Sequence, residues 1–184
     1  MPISYETYER VALEDGDEHW ELVCGRLRKK PAMTYEHNEA IDALSAEFHR
    51  QLDRAQYIVR GDSSQVHVST GSVFVPDLLV APRELAQRVR NEHPGQLEVY
   101  GDALPLVVEV WSRSTADYDV STKIPEYQRR GDIEIWFVHP YECWLRAWRR
   151  QPDGSYTETL FRGDAVIEPA ALPGVRIALA ALFE

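Results

Sequence analysis

The sequence contains no apolar run of the roughly 18 residues that a membrane-spanning helix needs, so no such helix is expected. The first stretch, MPISYETYERVALEDGDEHW, lacks both a basic start and an apolar core, so it does not read as a secretory signal. Cysteine is nearly absent. Cys24 and Cys143 are the only two, they share no metal-ligand spacing, and two buried, reduced thiols in a cytoplasmic protein are expected. Basic residues are also in deficit: 20 Lys and Arg face 30 Asp and Glu, for a formal net charge of −10. That balance counts against a broad nucleic-acid-binding surface, because phosphate contacts need Lys and Arg, but it leaves a locally basic cleft open. Arg26, Arg28, Lys29 and Lys30 form one basic cluster, Arg129 and Arg130 another, and Arg146, Arg149 and Arg150 a third. The plain reading of each is a solvated face. No Gly-x-Ser-x-Gly elbow is present, which excludes the usual serine nucleophile.

What is there fits one domain over residues 1–184, with 44% hydrophobic and 27% charged residues. Neither a low-complexity linker nor an internal repeat divides it. Residues 4–12 predict a short helix capped by Ser4, and ELVCGRLRKK a hairpin turning at Cys24-Gly25. Ile41, Leu44, Phe48 and Leu52 recur at helical spacing within 36–54, with Thr34 as the N-cap. The period then changes to two. AQYIVRG, QVHVST and SVFVPDLLVAP read as consecutive strands, separated by Gly-Asp-Ser-Ser and Thr-Gly-Ser turns. A short helix and loop are expected over 83–103. LPLVVEVWS (104–112) is apolar on both faces and suits a central strand. A helix within 117–130 stops at Gly131 and contains Pro125, so it either starts near Ser121 or Thr122 or kinks there. DIEIWFVHP, CWLRAWRR, SYTETLFRG and a closing strand near Val175–Ile177 make a β-rich C-terminal half. The apolar tail LPGVRIALAALFE is suited either to closing the core or to a homodimer contact.

Two acids stand out. Asp77 follows Pro76 at the head of LLV, and Glu109 interrupts LPLVVEV. A carboxylate in such a strand needs a cationic partner, hydrogen bonds or a metal. Alternation puts Glu109 and Trp111 on one face and Val108 and Val110 on the other. Two strand-borne acids meeting on adjacent strands would suit Mg²⁺ or Mn²⁺, which needs few carboxylates and fills its shell with water and phosphate oxygens. Such an ion stabilises developing charge and acidifies a bound water, and Lys123 could orient that water or balance charge. The alternative is structural: either acid pairs with a buried arginine or caps a turn.

The block from Glu109 to Trp136 resembles the Uma-two family of restriction endonuclease-like proteins, within the PD-(D/E)xK nuclease superfamily. The matching positions are Pro76-Asp77, Glu109-Val110, Ser112, Ser114-Thr115, Tyr118-Asp119, Lys123, Tyr127, Gly131 and Ile135-Trp136. Upstream, Glu21-Leu22 with Gly25 is similar to the family's N-terminal hairpin, and His37 to the histidine opening its first long helix. The resemblance covers most of residues 20–140. It implies an α/β (α+β) restriction endonuclease-like fold, with a mixed β-sheet flanked by helices, an extra N-terminal hairpin and a β-rich C-terminal half. It further implies that Asp77, Glu109 and the backbone carbonyl of Val110 bind Mg²⁺ or Mn²⁺, and that DNA is the substrate. Trp111 stands where the superfamily usually has lysine, and Lys123 on the next helix is the natural replacement.

The plain alternative for Lys123 is an exposed helix lysine pairing with Asp119. Glu21, Glu36 and His37 are outer-shell candidates, against a strand-edge acid and helix N-terminal charge effects. Tyr127, one turn past Lys123, either holds the lysine stem or packs in the core. Ser112, Ser114 and Thr115 read as turn formers and caps. Trp136, Trp144 and Trp148 read as core rather than base-stacking platforms. Two function classes follow: a metal-dependent DNA endonuclease, or a binding or regulatory module on a nuclease fold with weak or lost catalysis. A purely structural assembly subunit is a third, with a large apolar interface and a closed, dry site as its marks.

Overall fold

The computed structural model describes residues 2–15, 18–68 and 71–184. Helix α1 (Tyr5–Glu14) is capped by Ser4, whose Oγ accepts from the Thr7 N–H. Strands β1 (Trp20–Val23) and β2 (Arg26–Lys29) form the expected hairpin. Its turn residues, Cys24 and Gly25, both have positive φ (48° and 74°), the conformation a two-residue hairpin needs. Helix α2 (Tyr35–Gln51) is capped by Thr34 and buries Ile41, Leu44 and Phe48 of the predicted stripe together with His37 and Ala40, while Leu52, the fourth predicted position, is its half-buried C-cap.

SVFVPDLLVAP is not one strand. It supplies β5 (Val73–Phe74) and β6 (Leu78–Pro82), which belong to different sheets. Pro76 has no N–H for a ladder, and the break at Val75-Pro76-Asp77 carries the chain from one sheet to the other. β3 is Tyr57–Gly61 and β4 Gln65–His67. Ser69 and Thr70, where the predicted QVHVST strand ends and the next turn begins, lie outside the described residues. After α3 (Arg83–Glu92) and β7 (Val99–Tyr100) comes the central strand β8 (Leu106–Val110).

The segment expected as one helix is three pieces: α4 (Ala116–Tyr118), a π-helical turn over Asp119–Lys123, and α5 (Ile124–Arg130). The Ile124 N–H reaches the Asp119 carbonyl five residues back, and this wider turn accommodates Pro125, which follows at once in an unbroken helical run because Lys123 is itself helical. Gly131, at φ 89°, closes α5 in the left-handed region. Strands β9 (Glu134–His139), β10 (Trp144–Arg150), β11 (Tyr156–Arg162), β12 (Val166–Ile167) and β13 (Ile177–Ala178) complete the chain, with a short 3₁₀ turn at Ala180–Leu182.

The larger sheet runs β11-β10-β9-β8-β6-β3, antiparallel except for the parallel β8–β9 pair. The smaller runs β2-β1-β5-β4-β7. One face of the larger sheet (Leu78, Val80, Val108, Val110, Trp136, Val138) packs on α2 and on Leu172, Val175, Ile177, Leu179 and Leu182. The C-terminal tail therefore closes the core. The other face (Leu79, Val107, Ile135, Phe137) packs on α3, α5 and the smaller sheet through Val89, Ile124, Tyr127, Phe74 and Tyr100. Trp136, Trp144 and Trp148 are all buried. The cysteine expectation needs correcting: Cys24 and Cys143 are both free and exposed, because each occupies a positive-φ position in a surface turn. Among the described residues, no helix is long and apolar enough to cross a membrane. The architecture is a mixed α+β fold, as expected.

Candidate functional site

The sheet crossover and the central strand bring the two acids together. Leu78 lies opposite Val108 in the β6–β8 ladder, so Asp77, one residue earlier, arrives beside Glu109. Both are buried. The Val110 N–H donates to Asp77 Oδ2 at 2.6 Å, and His37 Nε2 lies 3.2 Å from the same oxygen. Lys30 Nζ donates to Asp77 Oδ1 at 2.6 Å and also holds Asp62.

Glu109 has its own set of partners. Tyr127 OH donates to Oε1 at 2.5 Å, and Lys123 Nζ lies 3.2 Å from Oε2. Lys123 further reaches Glu21 Oε1 at 2.8 Å, Asp119 Oδ1 at 3.6 Å and the Val75 carbonyl at 3.4 Å. Glu21 Oε1 in turn accepts from the Val75 N–H. Its hairpin partner Arg28 lies 3.5 Å from Oε2 and stacks on the Tyr118 ring at 3.4 Å. One narrow pocket is thus lined by Glu21, Asp77, Glu109 and Asp119 together with Arg28, Lys30 and Lys123.

The electrostatics follow from an excess of carboxylate. Burial raises the Glu109 carboxyl; Lys123 pulls it down, but Asp119 and Asp77 add to the rise, and the result lies well above the ordinary glutamate value. The same surplus acts on Lys123: burial disfavours its charge, yet Glu109 and Glu21 outweigh that and raise its pKa. For Asp77, burial is overcome by Lys30 and His37, which hold it well below the usual carboxylate range. Two acids of similar type are therefore poised oppositely.

A hard divalent cation suits this donor set. Asp119 Oδ1 is buried without a hydrogen-bond donor, and the carboxylates outnumber the cations around it. Among the described residues, no three Asp, Glu, His or Cys side chains converge as a ready-made cage. Mg²⁺ does not require one, since it is commonly held by one or two carboxylates and completes its shell with water and phosphate oxygens.

Of the residues singled out from sequence, the structure gathers Asp77, Glu109, Val110, Lys123, Glu21, His37 and Tyr127. Val110 contributes its N–H to Asp77. Lys123 is buried rather than an exposed helix lysine, and its Asp119 contact is the longest of its three ion pairs. Glu36 is not brought in: it is exposed at the start of α2 and accepts from Tyr141 OH at 3.0 Å. Trp111 instead stacks on His139, with centroids 4.5 Å apart. Lys30, Asp62, Arg28 and Asp119 were not foreseen as parts of the site. Strand alternation from Arg26 carries a signal for two of them, since it places Arg28 and Lys30 on one face.

No curated protein matches the chain. Its fold is shared with a crystal structure described as "a putative nuclease belonging to DUF820" from Anabaena variabilis ATCC 29413. The TM-score is 0.73 at 17% identity, with 89% of each chain covered. A family model described as "Uma2: Putative restriction endonuclease" matches residues 5–180, and the chain therefore belongs to the Uma2 family.

Proposed function

We propose that the chain is a divalent-metal-dependent endonuclease that hydrolyses DNA phosphodiester bonds. The observation that carries this reading is the convergence of Asp77, just before β6, and Glu109, in the adjacent strand β8, on one buried pocket with Lys123. Asp77 and Glu109 would hold Mg²⁺ or Mn²⁺, with the Val110 carbonyl as a further candidate donor. When bound, such an ion stabilises charge on the phosphate and supplies a more acidic water. The protein's own groups do the rest. His37 and the Val110 N–H fix the Asp77 carboxylate. Tyr127 fixes that of Glu109. Lys123 supplies a buried positive charge beside Glu109, suited to orienting the attacking water or neutralising a phosphate oxygen. Trp111 takes no part, and the ammonium comes from the π turn instead of β8. Membership of the Uma2 family supports this assignment.

The test is incubation of the protein, Asp77→Asn and Glu109→Gln with DNA and Mg²⁺ or Mn²⁺. Cleavage by the parent alone supports the reading; equal cleavage by all three, or none by any, defeats it.

A second reading has its own observation. The Asp77 oxygens are fully engaged by Lys30, His37 and Val110, as in a nuclease-fold binding module without turnover. Calorimetry separates the two, because that module would bind no Mn²⁺ at millimolar concentration.

A further inference from the structure

We infer that Lys30 is an internal counter-cation that occupies the Asp77 position and governs how tightly a divalent ion binds there, moving to Asp62 when the ion arrives. The inference rests on the metal site proposed above.

Lys30 is the first residue after the β1–β2 hairpin. Its N–H donates to the His19 carbonyl at 2.8 Å, which anchors its backbone. Its side chain is 6% exposed and ends between two carboxylates of different character. Asp77 is 2% exposed and has three donors; Asp62 is 35% exposed. The backbone keeps those acids adjacent, because the Asp62 N–H donates to the Asp77 carbonyl at 3.1 Å. Asp62 holds this place at a φ of 39°, unusual for a residue with a side chain.

Three consequences follow. A cation approaching Asp77 Oδ1 meets the Lys30 ammonium, already 2.6 Å from it, and like charges in one buried pocket repel. The ammonium cannot simply vanish into the core, because a buried unpaired charge is costly. Asp62 offers it a partner that is already in contact and closer to solvent, so exchange requires only a side-chain shift. Lys30 thus differs from Lys123, whose partners Glu21, Glu109 and Asp119 are all buried.

The experiment is a Mn²⁺ titration by calorimetry on the full chain, with Lys30→Met, Lys30→Gln, Asp62→Asn, Asp77→Asn and the double variant Lys30→Met/Asp62→Asn. Thermal melts establish that each is folded. Both Lys30 variants are expected to bind Mn²⁺ about tenfold more tightly, and Asp62→Asn more weakly. Asp62→Asn is expected to lose its effect once Lys30 is Met. Lys30→Gln guards against a Met variant that fails to fold, because its amide still donates to Asp77. Unchanged or weaker binding in a folded Lys30 variant overturns the role of Lys30 while leaving the metal site standing. Mn²⁺ binding that survives Asp77→Asn, or is absent from every variant, overturns both together.

Discussion

The Val110 N–H donates to Asp77 Oδ2 at 2.6 Å, so the residue beside Glu109 holds the other acid of the pair. Strand β8 thus carries one carboxylate and orients the other, while Lys30, His37, Lys123 and Tyr127 complete their partners. Asp77→Ala removes the acceptor for Val110 and the main partner of Lys30. It is expected to cost about 3–5 kcal/mol, as for breaking other buried ion pairs. Asp77→Asn retains an oxygen for the Val110 N–H and is expected to cost less. Urea unfolding of the two variants, compared with the parent, checks the order.

Lys123→Met leaves Glu21 and Glu109 buried without their ammonium. The pH dependence of the loss has a definite sign. Burial and the neighbouring acids Asp119 and Asp77 hold the Glu109 carboxyl above the ordinary 4.5 in the folded state. Its contribution is fully present below 4.5 and is lost as pH rises through the raised value. Without Lys123 that upward shift grows, so the deficit of Lys123→Met is expected to widen between pH 4.5 and 7. Adding Glu109→Gln is expected to flatten this slope, as read by unfolding at the two pH values.

The π turn is expected to matter for both activity and stability, because it sets the register of Lys123 against its buried acids. Pro125→Ala restores an N–H and removes the ring that disfavours ordinary helix through Ser121. The turn is then free to relax to α-helix, rotating Lys123 by about 100° relative to α5. DNA cleavage is expected to fall by about tenfold or more, and stability by about 3–5 kcal/mol where Lys123 turns away from buried Glu21 and Glu109. Unchanged cleavage would show that the register of Lys123 tolerates the relaxation.

His139 supplies a separate acid response. Burial, opposed only in part by Glu142, lowers its pKa, and its ring stacks on Trp111. A depressed histidine contributes stability that is present above its unfolded value near 6.5 and lost as pH falls through the folded one. His139→Phe keeps an aromatic partner for Trp111 and removes the titration. The acid-side loss of stability, followed by tryptophan fluorescence during unfolding, is expected to be shallower in that variant.

Much of this was legible in the sequence because the strongest signals are local. The α2 stripe, the Cys24-Gly25 turn and the central strand β8, apolar on both faces but for Glu109, each follow from period or turn chemistry within a few residues. The costly acids Asp77 and Glu109 marked the pocket for the same reason: no strand tolerates them unpartnered. What was hidden is non-local. The split of β5 from β6 depends on which sheet each joins, although Pro76 marked the place. The partners of Lys30 lie 32 and 47 residues away, so a basic cluster that reads as solvent-facing is in part an interior one. The exposed thiols show the converse. Cys24 and Cys143 obey the geometry of their turns, not the general burial of cysteine.

The central claim is that Asp77 and Glu109 bind one divalent ion used for DNA hydrolysis. The most direct measurement is Mn²⁺-dependent cleavage of DNA by the parent, Asp77→Asn and Glu109→Gln, with Mn²⁺ affinity measured on the same samples. The account predicts that the parent binds Mn²⁺ and cleaves, and that each variant loses both. Cleavage that persists in either folded variant, or a parent that neither binds nor cleaves, would contradict it.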